Sequence, residues 1–159
     1  MDRFDSKKLK ALAAIGAIVL REWPDHERLY VFHESFESDA RLVQAFCRNR
    51  RIFGRNSKQL IRKWEAVNYL HTPIFLYYLP AVLLAMLEHP KSQFCQILLI
   101  GQLARSEEVF SPEERVAARE VRACLEEEGV TVDAIWNRIE EGKQRARDLG
   151  YKVPESRRQ

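Results

Sequence analysis

One uncharged stretch constrains the fold of this chain more than any other feature. Residues 71–87 read HTPIFLYYLPAVLLAML and carry no charge when His71 is neutral, although 31% of the whole chain is charged. A helix from Pro73 to Leu87 would be ~22 Å long, whereas the hydrocarbon core of a bilayer is ~30 Å thick. We therefore predict a core helix over residues 72–88, kinked at Pro80, and no membrane partner.

Start and stop signals place a second apolar helix directly after the first. Thr72 followed by Pro73 predicts a capped helix start, and Ser92 can cap a helix over residues 93–104. Helices joined by so short a connection pack antiparallel. We predict an all-α fold, a single compact multi-helix bundle around this buried helical hairpin (72–88 and 93–104).

Amphipathic patterns predict further helices around the hairpin. The first runs from about Ser6 to Trp23 and ends at Pro24, with an inner face comprising Leu9, Leu12, Gly16, Val19, Leu20 and Trp23. Residues 28–33 fit either a strand or a buried helical turn. Ser38 is expected to cap a helix that ends near Cys47, and Ser57 to cap a helix with Trp64 on its inner face.

The last third of the chain carries the clearest local signals. Ser111, Pro112 and Glu114 form the pattern of a capping box, Gly129 ends that helix, and Thr131 begins the last one. With 159 residues, we expect one domain over residues 1–150 and a frayed tail over residues 151–159.

Composition limits the cellular setting and the chemistry. Three widely spaced cysteines argue against a disulfide framework and indicate a cytoplasmic protein. The four histidines lack helical ligand spacing, so neither a metal nor another cofactor is predicted. No nucleophile motif or phosphate-binding loop is present, so we assign no catalytic residue. Residues 34–39, with Glu34, Glu37 and Asp39, offer the carboxylates that an enzyme of unrecognised type would use.

A basic segment, residues 48–63, is the main functional signal from charge. It contains no acidic residue, and its cations are Arg48, Arg50, Arg51, Arg55, Lys58, Arg62 and Lys63. These cations could bind nucleic-acid phosphates, with Phe53 or Trp64 stacked on a base. They could instead face the acidic helix of residues 107–128, giving the bipolar surface that suits a protein partner.

Two interpretations remain open for the tyrosines next to Pro80. Proline inside a helix removes one backbone hydrogen bond, so Tyr77 and Tyr78 could line a pocket at the kink. Alternatively, both rings pack in the core with their hydroxyls at its edge.

The same stretch carries a family resemblance. Its motif comprises Thr72, Pro73, Phe75, Tyr77, Tyr78, Leu79, Pro80 and Ala81. With the upstream KWEAV and the downstream VFSPEERVAAREVRACLEEE, residues 38–128 resemble an uncharacterised bacterial family of small helical domains of unknown function with a Tyr-Leu-Pro-Ala signature helix. The resemblance implies a compact helical bacterial domain and brings no activity, cofactor or site residue.

Taken together, these patterns favour a non-enzymatic protein-interaction module, such as an adaptor, an inhibitor or a toxin-neutralising protein. Two alternatives stay open. One is a nucleic-acid-associated protein that uses residues 48–63, and the other is an enzyme of unrecognised type built on residues 34–39 or on Tyr77 and Tyr78. The sequence leaves the oligomeric state open.

Overall fold

The computed structural model describes residues 3–24, 37–48 and 57–153, and within them the chain forms helices and no strand. The α-helices are α1 (Arg3–Gly16), α2 (Glu37–Arg48), α3 (Ser57–Arg62), α4 (Trp64–Asn68), α5 (Thr72–Glu88), α6 (Gln93–Ile100), α7 (Gln102–Ser106), α8 (Pro112–Glu127) and α9 (Val132–Asp148). A 3₁₀ turn, Glu107–Val109, joins α7 to α8. The predicted all-α bundle is confirmed, whereas residues 28–33 lie outside the described ranges.

Helix α5 is the centre of the bundle. It contacts α1, α3, α6, α7 and α8, and buried side chains occur on every side of it, including Ile74, Leu79 and Leu83 at 0% exposure. The helix continues through Pro80 to Glu88. It begins at Thr72 as predicted, but His71 and not Thr72 is the capping residue, and the amides of Ile74 and Phe75 both bond to the His71 carbonyl. In the part of the chain that is described, no helix is long and apolar enough to span a membrane.

The second arm of the hairpin is broken at Gly101. Ser92 caps α6 as predicted, through a 3.1 Å bond from the Cys95 amide to its Oγ. The helix then stops, and α7 begins after Gly101. The Asn68 side chain occupies the break: its Oδ1 accepts a 3.3 Å bond from the Gln102 amide and would lie 2.7 Å from a Cβ at Gly101.

Helix α1 differs most from its prediction. It ends at Gly16 instead of Trp23, and residues 19–24 are not helical. The predicted inner face is wrong, because Leu9 (51%), Leu12 (37%), Val19 (73%) and Leu20 (59%) are exposed. The buried positions are instead Ala11 and Ile18.

Ionic contacts attach this N-terminal region to α8. The two helices run antiparallel, with Lys7 beside Glu127 and Lys10 3.7 Å from Glu120. Beyond the end of α1, Arg21 forms two hydrogen bonds to Glu114, of 3.0 Å from Nε and 2.7 Å from Nη2. Arg21 thus continues the antiparallel series of contacts to the start of α8.

Glu114 is a buried carboxylate with two structural roles. It is 1% exposed and completes the capping box, with its Oε1 2.8 Å from the Ser111 amide. Burial alone would raise the pKa of Glu114, but the bonds from Arg21 and Ser111 and the charge of Arg21 hold it below its usual value. The same pairing raises the pKa of Arg21.

Local turn chemistry ends α8 and begins α9 as predicted. Gly129 has a φ of +74°, a conformation that glycine adopts without steric cost. Thr131 caps α9 through a 3.1 Å bond from the Ala134 amide, and Ile135 turns into the core. Gly150, with a φ of +89°, follows α9, and Tyr151 is exposed. Residues 154–159 of the predicted tail lie outside the described ranges.

Two further helices differ from the sequence prediction, one in its start and one in its continuity. Helix α2 begins at Glu37, so Ser38 lies inside it. The helix predicted after Ser57 is interrupted at Lys63, which divides it into α3 and α4. None of the three cysteines forms a disulfide, and Cys47, Cys95 and Cys124 are all buried.

Candidate functional site

Among the described residues, a cleft lies between α2 and the α3–α4 junction. At that junction Lys63 has φ −110° and ψ 32° and interrupts the helix. In a straight helix successive side chains point ~100° apart. Because the chain turns at Lys63, the four consecutive residues from Arg62 to Glu65 all line one cleft.

The cleft has an apolar floor and a charged rim. Its volume is about 290 Å³, and its lining comprises Leu42, Ala45, Phe46, Arg62, Lys63, Trp64, Glu65 and Ala66. Phe46 and Ala66 are buried, whereas Trp64 is half-buried and Leu42 is exposed. Arg62, Lys63 and Glu65 are exposed. The site can therefore enclose an apolar group and hold an anionic group at its edge.

The structure places two of the seven predicted basic residues at this cleft. These are Arg62 and Lys63. Arg48, at the end of α2, and Lys58, on α3, are exposed but do not line it. The other three, Arg50, Arg51 and Arg55, lie outside the described ranges.

Sequence reasoning did not find the α2 side of the cleft. The sequence predicts a helix that ends near Cys47, but no pattern in it indicates that Leu42, Ala45 and Phe46 line a cleft. The interruption at Lys63 also has no glycine or proline to mark it. Outside the basic residues, Trp64 is the cleft residue to which the sequence analysis gave a possible binding role, stacking on a base.

The acidic helix α8 has cation partners from outside residues 48–63. Besides Lys7, Lys10 and Arg21 from the N-terminal region, Lys91 lies 3.9 Å from Glu128. Arg122 of α8 itself pairs with Glu107. These contacts do not test whether the basic segment also faces α8, so that interpretation stays a prediction.

Tyr77 and Tyr78 belong to an aromatic cluster within the bundle. Tyr78 is 0% exposed, and its ring centroid lies 4.9 Å from Tyr77, 5.2 Å from Phe46 and 5.9 Å from Trp23, all edge-on. Trp23 also packs against Tyr77 at 5.1 Å. The described surroundings are close aromatic packing, and a pocket opened by Pro80 stays a prediction. Phe46 connects this cluster to the floor of the cleft.

The described residues give little support for metal or thiol chemistry. Across residues 3–24, 37–48 and 57–153, no three His, Cys, Asp or Glu side chains are grouped so that they could hold a metal ion. Burial raises the pKa of the Cys95 thiol to about 12 and also raises that of Cys124, which disfavours reactive thiolates at both positions. The carboxylate group of residues 34–39 lies outside the described side chains.

Compared with protein-family models, with curated proteins and with solved structures, the chain matches none. The Tyr-Leu-Pro-Ala family resemblance therefore stays a prediction.

Proposed function

We propose that this protein is a non-enzymatic protein-interaction module, and that the cleft between α2 and α4 binds a short acidic segment of a partner protein. The observation that supports this most is the combination of an apolar floor and a cationic rim in one cleft. An apolar side chain of the partner would fill the floor beside Phe46 and Trp64. Carboxylates next to it would pair with Arg62 and Lys63.

The cleft is small but large enough for a side-chain anchor. Its volume of about 290 Å³ lies at the lower end of the range for drug-sized ligands, roughly 300–1,000 Å³. A single buried anchor with a charged surround is a common arrangement in protein interfaces. This volume suits one large side chain of a bound segment.

Nucleic acid is the alternative that shares most of the same chemistry. Trp64 could stack on a base and Arg62 could contact a phosphate. Against this, Glu65 lies in the same wall and would repel phosphates, and the net charge of the chain is only +3. A peptide can place a neutral or basic residue opposite Glu65, whereas a phosphodiester chain cannot remove its charge.

Peptide display on the immobilised full-length chain tests the proposal. We expect enriched peptides to contain a large apolar residue flanked by Asp or Glu, and to bind in a fluorescence-anisotropy titration. Both Arg62→Glu and Leu42→Asp should weaken binding by about tenfold or more, since each removes a different half of the site. Arg145→Glu, at an exposed position of α9, is the matched control and should leave the affinity unchanged.

Two outcomes would contradict the proposal. Enriched peptides without acidic residues would show that Arg62 and Lys63 do not select carboxylates in the partner. Tight binding of a short single-stranded oligonucleotide that falls steeply with salt, and that is lost in Arg62→Glu, would favour the nucleic-acid alternative. Charge reversal at Arg50, Arg51 and Arg55 extends that test to the rest of the basic segment.

The cellular setting belongs to the same proposal. A cytoplasmic location is supported by the three cysteines, which are buried and form no disulfide. We also propose a bacterial origin within the family that the Tyr-Leu-Pro-Ala helix resembles; the support for this is the motif from Thr72 to Ala81.

A further inference from the structure

Helix α1 has a second apolar face, opposite to the one it buries. Ala11 turns into the core, with Ile15 packed against it. On the far side of the helix, residues 9, 12, 13 and 16 share one face, because these positions lie within about 100° of arc. All four are exposed: Leu9, Leu12, Ala13 and Gly16. A ridge of two leucines is therefore followed along the helix by two small residues.

A shallow apolar groove continues this face toward α8. It has about 230 Å³ and is lined by Ala14, Ala17, Pro112, Glu113 and Val116. The groove lies beside the C-terminal end of α1, at Ala14 and Ala17, and the two leucines precede it along the helix. Apolar surface of this kind beside a polar rim is typical of an interaction site.

We infer that this face is an interface with a second copy of this chain, in which two α1 helices pack antiparallel about a twofold axis. Antiparallel packing places the N-terminal half of each helix against the C-terminal half of the other. With the twofold axis between positions 12 and 13, Leu9 meets Gly16 of the other copy, while Leu12 faces Leu12 and Ala13 faces Ala13. The match of Leu9 with Gly16 lets the two helices approach closely, and the two Leu12 side chains add apolar contact.

Charge favours the same arrangement. Lys10 lies at the edge of the face on the α8 side, with 72% of its side chain exposed despite its contact with Glu120. Glu113 lies at the opposite end of the same edge, in the groove wall. A twofold axis perpendicular to the helices keeps both α8 edges on one side, so Lys10 of each copy approaches Glu113 of the other. A parallel pair would instead place Leu9 on Leu9 and leave Gly16 facing Gly16.

The size of the surface indicates a weak, reversible dimer. We expect one helix pair with the edge of α8 to bury less surface than the roughly 1,200–2,000 Å² of standard stable interfaces. We therefore expect a dissociation constant on the order of micromolar. The interface uses different residues from the cleft between α2 and α4, so it does not depend on the proposed function.

Sedimentation equilibrium of the full-length chain tests the dimer. The wild type should dimerise, and Leu9→Glu should weaken the dimer by about a hundredfold, because two charges per dimer would be placed against apolar surface. Leu149→Glu changes an exposed leucine beyond α9 and is the matched control. A thermal melt of each variant should show an unchanged fold, since the substituted side chains are exposed.

A charge-exchange experiment tests the antiparallel arrangement. Lys10→Glu and Glu113→Lys should each weaken self-association by about tenfold or more, because each creates like-charge contacts across the interface. A mixture of the two variants should dimerise again, since both contacts of the heterodimer then carry opposite charges.

Three results would overturn the inference. They are a wild type that stays monomeric at its highest soluble concentration, a Leu149→Glu variant that dissociates as readily as Leu9→Glu, and a mixture of the charge variants that does not recover. The first result would leave the face to a different protein or to another segment of this chain.

Discussion

Helices α5 and α1 are both rich in apolar residues, yet their leucines are buried to very different extents. Leu79 and Leu83 of α5 are 0% exposed, whereas Leu9 of α1 is half exposed. Among the described residues, α5 packs against α1, α3, α6, α7 and α8, whereas the main contacts of α1 are with α8 and α5. The comparison shows that apolar content alone does not determine burial, because burial also depends on how many elements pack around a helix.

The largest expected effect is the loss of stability on truncating a leucine of α5, and the same truncation in α1 is its comparison. Leu79→Ala leaves a cavity in a fully enclosed site and should lower the free energy of unfolding by ~2–5 kcal/mol. Leu9→Ala removes an exposed side chain and should change it by less than ~0.5 kcal/mol. Urea unfolding followed by circular dichroism, at a protein concentration where the chain is monomeric, measures both. Equal losses would show that α1 is as enclosed as α5.

The second test asks what holds α1 in place. Glu114→Ala removes the bond from Arg21 and one half of the capping box, and should cost about 2–3 kcal/mol of unfolding free energy. Glu126→Ala, an exposed glutamate on the same helix, is the matched control and should have little effect. If the two variants unfold alike in urea, packing rather than this ion pair attaches the N-terminal region.

A pair of glycines compares close packing at the centre with open space at the edge. Gly101→Ala should destabilise the fold by ~1–3 kcal/mol, because the new Cβ would lie 2.7 Å from Asn68 Oδ1 and 2.9 Å from the Ile97 carbonyl. Gly142, inside α9, has nothing within 4 Å of such a Cβ. Gly142→Ala should raise stability by ~0.5–1 kcal/mol, since alanine favours a helix. Thermal unfolding that moved both variants in the same direction would contradict this contrast.

The smallest expected effect is a pH dependence confined to the attachment of α1. The folded state lowers the pKa of Glu114 below its ordinary value of 4.5. The stability it contributes is therefore present above that ordinary value, and is lost as pH falls through the folded pKa. Glu114→Gln should lack this acid-dependent part, so wild-type and variant stabilities should converge as pH falls below 4.5. Curves that stay parallel in urea unfolding across this range would exclude the linkage.

Sequence patterns predicted the features whose causes are local. The Ser111 capping box, the Thr131 cap and the turn at Gly129 each depend on residues within a few positions, so a pattern can contain the whole cause. The end of α1 could not be predicted in this way. The residues that follow it are held by a contact between distant parts of the chain, the bond between Arg21 and Glu114, which are 93 positions apart.

The candidate site was predictable in part for the same reason. Charge alone drew attention to Arg62 and Lys63, and Trp64 was predicted on the inner face of its helix, with stacking on a base as one possible role. The cleft itself depends on the interruption at Lys63 and on α2 packing against α4. No residue type signals either feature, because the cavity between two helices is a property of their contact and not of either sequence segment.

The burial of the three cysteines also gives the experimenter a useful reporter. Cys47, Cys95 and Cys124 are the only thiols in the chain, and all are shielded from solvent. A cysteine introduced at an exposed position such as Leu149 should therefore react with maleimide long before the native thiols do. The slow rate at which the native thiols react would in turn measure how often the bundle opens. Cys95 would report the opening of α6, and Cys124 that of α8.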